Sequence, residues 1–150
     1  MHVVPAINAD AAEILALQKR AYALEAEVTG DYHMEPLTQS LESIRADFAR
    51  MVVLKAVEDG RIVGSVRAHQ DDGTVTIRRL IVEPELHGRG IGSELLRAIE
   101  DRFPTCERYE LFTARQSPRN VLFYARRGYT ELRDVPFNEY VTFVYFEKRR

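Results

Sequence analysis

Leu80-Ile81-Val82-Glu83-Pro84-Glu85-Leu86-His87-Gly88-Arg89-Gly90-Ile91-Gly92-Ser93-Glu94-Leu95-Leu96 is the stretch that decides the fold. It reads as an apolar strand stopped by a proline, then a glycine loop, then the start of an amphipathic helix. A strand that enters a helix through glycines leaves the first backbone N–H groups of that helix unpartnered and aimed at one spot. The helix dipole adds positive potential there, which suits a phosphate or pyrophosphate.

The spacing narrows which phosphate. Gly88, Gly90 and Gly92 give G-x-G-x-G, whereas the dinucleotide-binding G-x-G-x-x-G would need a glycine at Ser93. The nucleoside-triphosphate P-loop ends in Gly-Lys-Ser/Thr, and no lysine follows these glycines.

Upstream, Val3, Val4 and Ile7 open a short strand. Asp10 and Glu13 have capping-box spacing ahead of an amphipathic helix striped by Ile14, Leu17, Ala21 and Leu24. A polar and aromatic connection follows Thr29-Gly30-Asp31, and Thr38 is placed to cap a second helix that buries Leu41, Ile44 and Phe48. The period then changes to that of strands over Met51 to Glu58, Ile62 to Gln70 and Thr74 to Val82, turned by Asp59-Gly60 and Asp71-Asp72-Gly73.

Downstream, Ile91, Leu95, Ile99 and Phe103 stripe a helix that Pro104 stops. Tyr109 to Thr113 is a strand. Ser117-Pro118 starts a helix predicted to run to Arg127, before Gly128. Tyr129 to Leu132 and Tyr140 to Phe146 are the last strands, separated by a loop containing Pro136. The expected order is β-α-α-β-β-β-α-β-α-β-β, a single mixed α/β domain over residues 1–150.

Composition excludes several classes. The chain is 45% hydrophobic and 29% charged, with no apolar run long enough to span a membrane. Met1-His2-Val3-Val4-Pro5 lacks the charged and apolar regions of a signal peptide. One cysteine, Cys106, leaves no internal disulfide and agrees with a reducing cytoplasm. A formal charge of -2 gives no reason to expect nucleic acid as a partner.

Taken together, His87-Gly88-Arg89-Gly90-Ile91-Gly92, the preceding Val82-Glu83-Pro84, and the later Asn120-Val121-Leu122-Phe123-Tyr124-Ala125-Arg126-Arg127-Gly128-Tyr129 resemble the acyl-CoA-binding and C-terminal motifs of the GNAT N-acetyltransferase family. The element order resembles that family along nearly the whole chain, with a fourth and fifth strand that splay apart. One position departs: the family's leading Arg or Gln is His87, which carries no permanent charge.

The resemblance implies roles. Acetyl-CoA is the expected cosubstrate, with no metal. Backbone amides of Gly88, Arg89, Gly90, Ile91, Gly92 and Ser93 would hold its pyrophosphate, beside His87. The Leu80, Ile81 and Val82 backbone would pair with the pantetheine arm as an added strand, and Asn120 would bond the arm further along. Asn120, Phe123, Tyr124 and Arg127 share a helix face that would lie on the cofactor. Tyr124 is the expected acid for the departing thiolate, and a backbone N–H of Ile81 or Val82 the oxyanion donor.

Other roles stay open. The histone-acetylating branch carries a glutamate in mid-strand where this chain has Thr76, so Glu83, Glu25, Glu35, His69 and His87 are all candidate bases. The acceptor, an unidentified amine, is expected between Glu25 to Leu37 and Asp134 to Tyr140. Tyr32, His33, Met34, Glu35, Phe137 and Tyr140 favour a small cation there. Arg67, Arg78 and Arg79 pull towards a carboxylate-bearing amine. A CoA-binding module without catalysis and a transferase of longer acyl groups are the alternatives. The Tyr140 to Phe146 strand is apolar on both faces, which fits a central strand or one covered by a second subunit in a homodimer.

Overall fold

The computed structural model describes residues 1–150. One seven-stranded sheet runs in the order β1-β2-β3-β4-β5-β7-β6. Its strands are β1 (His2–Pro5), β2 (Val52–Glu58), β3 (Arg61–Asp71), β4 (Thr74–Val82), β5 (Arg108–Ala114), β6 (Thr130–Pro136) and β7 (Thr142–Arg149). The helices are α1 (Ala11–Thr29), a single turn α2 (Glu35–Thr38), α3 (Leu41–Arg50), α4 (Ile91–Asp101) and α5 (Pro118–Ala125).

Alternation along the strands sends side chains to two cores. Ile14 and Leu17 of α1 and Ile44 of α3 pack on Val53, Ile62 and Ile81 on one face. Ile91, Leu95, Leu96 and Ile99 of α4 pack on Leu54, Val66, Ala68 and Val75 on the other, joined by Phe123 and Tyr124 of α5. At Gly64 a methyl group would come within 2.7 Å of Leu95 Cδ1 and 3.1 Å of the Ile81 carbonyl oxygen, so glycine there lets α4 sit close to the sheet.

The Asp59-Gly60 hairpin holds both residues at positive φ, 51° and 75°, as a two-residue turn between twisted strands requires. The splay expected of β4 and β5 is present. These strands run parallel and pair only over Thr74 to Thr76 with Arg108 to Glu110; beyond that they separate.

Four local expectations are corrected. Asp10 caps nothing at α1; it accepts from the Ile7 N–H at 2.8 Å and pairs with Lys55 at 2.9 Å, while Glu13 accepts from the Ile62 N–H at 2.9 Å. Partners on β2 and β3 win over the local cap. Ser40, not Thr38, caps α3, accepting from the Ser43 N–H at 3.1 Å, because Thr38 ends the single turn α2. Helix α5 closes at Ala125, with Gly128 at φ 91° in the turn after it. Pro136 ends β6 instead of lying in a loop; β6 is the sheet edge, where a missing N–H costs no ladder bond. The two-faced apolar pattern of the last strand is accounted for within the chain, since β7 lies between β5 and β6.

Candidate active site

The gap between β4 and β5 opens a cavity of about 950 Å³, walled by α1, β4, the glycine loop, β5 and α5. Leu80, Ile81, Val82, His87, Gly88, Gly90, Ile91, Gly92, Ser93, Asn120, Phe123 and Tyr124 all line it. Arg89 does not: its guanidinium turns outward to Glu58 at 3.1 Å.

The six backbone N–H groups from Gly88 to Ser93 donate to no backbone carbonyl; the next, of Glu94, returns to the Gly90 carbonyl at 3.1 Å. Gly88 and Gly90 sit at φ 82° and 84°, where an L side chain is strained, and neither has an atom within 4 Å of where a Cβ would stand. The loop is therefore a row of donors without backbone partners at the N-terminus of α4, and all of its residues but Arg89 lie on the cavity wall. That arrangement fits an anionic group with several oxygens, such as a pyrophosphate.

His87 contributes no charge to this row. Burial lowers its pKa, helped by the positive Arg119, so the ring is neutral at pH 7, and its Nε2 lies 3.3 Å from the Val82 carbonyl oxygen. Reading by motif position missed Arg119. It lines the cavity from α5, and its charge is felt at both His87 and Glu25. Its signal lay one residue before Asn120, on a helix whose orientation had to be known.

Asn120, Phe123 and Tyr124 of α5, with Arg127 in the turn after it, do line the cavity together. Asn120 Nδ2 donates to Glu25 Oε1 at 3.1 Å and to Thr113 Oγ1 at 3.3 Å, which points its Oδ1 acceptor elsewhere. The Arg127 guanidinium lies 3.7 Å over the Phe123 ring and donates to the Phe123 carbonyl at 2.9 Å, holding both in place. Tyr124 is fixed by edge and tilted contacts with Phe123, Tyr129 and Phe146 at 5.1 to 5.9 Å between ring centroids. Burial raises its phenol well above the ordinary range, and the negative Glu25 adds to the effect, so Tyr124 holds its proton throughout the neutral range.

The five candidate bases separate. Glu83 is buried and bound twice by Arg20, Nε to Oε1 at 3.0 Å and Nη2 to Oε2 at 2.7 Å, which holds its carboxyl below the usual range. Glu35 is paired with Arg79. His69 faces Asp71 at 3.7 Å on β3, outside the cavity. His87 is folded onto Val82. Glu25 alone lines the cavity as a carboxylate whose pKa is raised by burial, against the lowering bond from Asn120. One turn before it on α1, Tyr22 also lines the cavity, its phenol raised by burial and within electrostatic reach of Glu25 and Tyr124.

The two segments expected to hold an acceptor do meet. Asn138 Nδ2 donates to Asp31 Oδ2 at 2.9 Å, tying the connection after α1 to the β6–β7 loop. Met34, Glu35 and Phe137 line the cavity; Tyr32, His33 and Tyr140 lie outside it.

Known proteins resemble this chain in sequence or in fold. The UPF0157 protein YqkA of Bacillus subtilis is 30% identical over 125 residues, covering 83% of this chain and 36% of that protein. The chain thus spans about a third of the length of that relative. The PaiA N-acetyltransferase of Thermoplasma acidophilum, solved with coenzyme A, superposes with a TM-score of 0.81 at 17% identity over 100% of both chains. YncA of Salmonella typhimurium, solved with acetyl-CoA, gives 0.78 at 18% identity, covering 99% of this chain and 93% of that one. Both are likenesses of fold. The sequence model of the GNAT acetyltransferase domain matches residues 21–150, and by that match this chain belongs to the GNAT acetyltransferase family.

Proposed function

We propose that the chain is an acetyl-CoA-dependent N-acetyltransferase acting on a primary amine in a ternary complex. One observation carries the reading: Gly88, Gly90, Ile91, Gly92 and Ser93, whose amides have no backbone partner, and Tyr124 line the same cavity, where β4 and β5 part. In this reading those amides hold the pyrophosphate, and Arg119 supplies the permanent charge that His87 lacks. The edge of β4 at Leu80, Ile81 and Val82 pairs with the pantetheine arm, and Asn120 accepts from it through Oδ1. Phe123 and Gly92 flank its path.

Acetyl transfer forms a C–N bond and breaks a C–S bond, and each partner needs proton help. Glu25, its pKa raised by burial, takes a proton from the acceptor ammonium, directly or through water, so that the neutral amine attacks the thioester carbonyl. The oxyanion that develops is met by a β4 backbone N–H, of Ile81 or Val82. Tyr124, protonated at neutral pH, gives its proton to the departing thiolate. An α-amino acceptor with a pKa of about 8 asks less of the base than a lysine near 10.4.

The test is thiol release from acetyl-CoA across amines, polyamines, amino acids and peptides. Amine-dependent release is expected, with acetyl-CoA turned over faster than propionyl- or succinyl-CoA. Tight coenzyme A binding with no release over the whole panel makes the protein a binding module instead.

A further inference from the structure

A second, smaller cavity of about 150 Å³ lies between α2, α3 and the middle of β3 and β4. It shares Glu35, Arg78 and Arg79 with the larger one, so the two adjoin. Its wall is polar apart from Met51, and four guanidinium groups (Arg50, Arg67, Arg78 and Arg79) face only two carboxylates, Glu35 and Asp47.

Arg67 is the unusual member. It is 0% exposed, in the body of the protein, where arginine is seldom found. All its contacts fall on one nitrogen: Nη2 meets Gln18 Oε1 at 3.0 Å, Gln39 Oε1 at 3.1 Å and Asp47 Oδ2 at 3.4 Å. Nε and Nη1 donate to nothing, and neither does Nε of Arg79. Asp47 is shared rather than dedicated to Arg67, since it also accepts from Gln39 at 2.9 Å and from Arg50 at 2.9 Å.

The sheet brings further positive charge to the same place. Arg78 stands directly opposite Arg67 across the antiparallel pair, an arrangement of like charges that destabilises a sheet. Next to it the register shifts, so that Arg79 and Leu80 together oppose Val66, and Arg79 takes a left-handed φ of 56°. A non-glycine residue is strained there. Packing and pairing within the chain do not compensate a buried guanidinium with unused donors, an opposed arginine and a strained third one. An anion would, and Glu35 already shows the chemistry: its carboxylate, 59% exposed at the rim, pairs with Arg79.

We propose that this cradle receives the carboxylate of the acceptor, making the substrate an amino acid or a similar small amine that carries an acidic group. The inference rests on the N-acetyltransferase reading above and assigns its substrate class. The space admits a carboxylate-sized head, and a planar guanidinium fork meets a carboxylate with two parallel bonds. Gln18 and Gln39 hold Arg67 in position, each buried and each bonded to the other at 2.9 Å.

Calorimetric titration of the coenzyme A-loaded protein tests this without relying on turnover. N-acetyl amino acids and their carboxamides serve as matched product pairs, with an N-acetylated phosphoamine as the phosphate arm. The carboxylates are expected to bind at least tenfold tighter than the amides, and Arg78→Gln to remove most of that preference. Affinity for coenzyme A, measured on the same variant, reports that it folds. Equal affinity for acid and amide overturns the proposal. So does a preference that survives both Arg78→Gln and Arg67→Lys, or a phosphate that outbinds the carboxylate. Should no amine release thiol while the acid–amide preference holds, the transfer reading fails and the anion cradle stands.

Discussion

The two ends of the large cavity are built from different materials. At the α4 end the site is backbone: a row of amides, two left-handed glycines and an open strand edge, with the side chains of Arg89 and His87 turned to other business. At the α1 and α3 end it is side chain: Glu25, Tyr22 and the arginine cluster, each placed by tertiary contacts. A backbone site can be written in a short run of sequence, because glycine spacing fixes where N–H groups point. A side-chain site is assembled from residues as far apart as Gln18 and Arg67, and no local pattern records it.

Replacing one group at each end sharpens this contrast. Tyr124→Phe keeps the ring contacts and removes only the proton, so kcat is expected to fall about 100-fold or more while the affinity for coenzyme A stays within about twofold. Steady-state rates with calorimetry decide it; normal turnover across pH removes Tyr124 from the acid role. Glu25→Gln comes next, with kcat/KM expected to drop about 10- to 30-fold. Because burial raises the Glu25 pKa, the base is protonated at acid pH and activity climbs as pH rises through that raised value. The acid limb should vanish in the variant, read with an acceptor whose own amine titrates well above it. A limb that persists assigns the base elsewhere.

The smallest effect belongs to the backbone end. Gly90→Ala places a methyl at φ 84°, a conformation that costs about 1 kcal/mol, with no protein atom nearby to clash. Coenzyme A affinity is expected to fall about tenfold, from loss of amide alignment and intrusion into the cavity, with kcat changed little. If kcat falls and affinity holds, the loop is not the phosphate grip.

The fold was largely legible. Asp59-Gly60 announced its hairpin and Pro118 its helix start, and the two-faced apolar Tyr140 to Phe146 run a strand either central or covered, of which β7 takes the first by lying between β5 and β6. What escaped had tertiary causes. Asp10 and Glu13 have capping spacing, yet β2 and β3 offered them Lys55 and the Ile62 N–H. At the site, the glycine loop and the α5 face were visible as motifs. Arg119 was hidden beside a motif residue, and Glu25 stood among five equal carboxylates and imidazoles until geometry separated them. The orphaned donors of Arg67 have no sequence signature at all, since burial on β3 opposite Arg78 depends on register.

The short union of β4 and β5 has a mechanical consequence. Helix α4 rides on β2, β3 and β4, whereas α5 rides on β5 and β6. Three paired rows, Thr74 to Thr76 against Arg108 to Glu110, are the only ladder joining those two leaves. The amide row therefore stands on one leaf and Tyr124 on the other, like jaws about a spine at the far end of the sheet. Core packing also binds the leaves, since Leu95 and Ile99 of α4 share one cluster with Tyr109, Leu111 and Phe146. Glu100 accepts from Tyr129 Oη at 2.7 Å and from Lys148 Nζ at 3.1 Å, so any change in the gap between the glycine loop and Tyr124 has to shift that packing. An extended arm laid between the leaves would splice them, converting a book held by its binding into one continuous sheet.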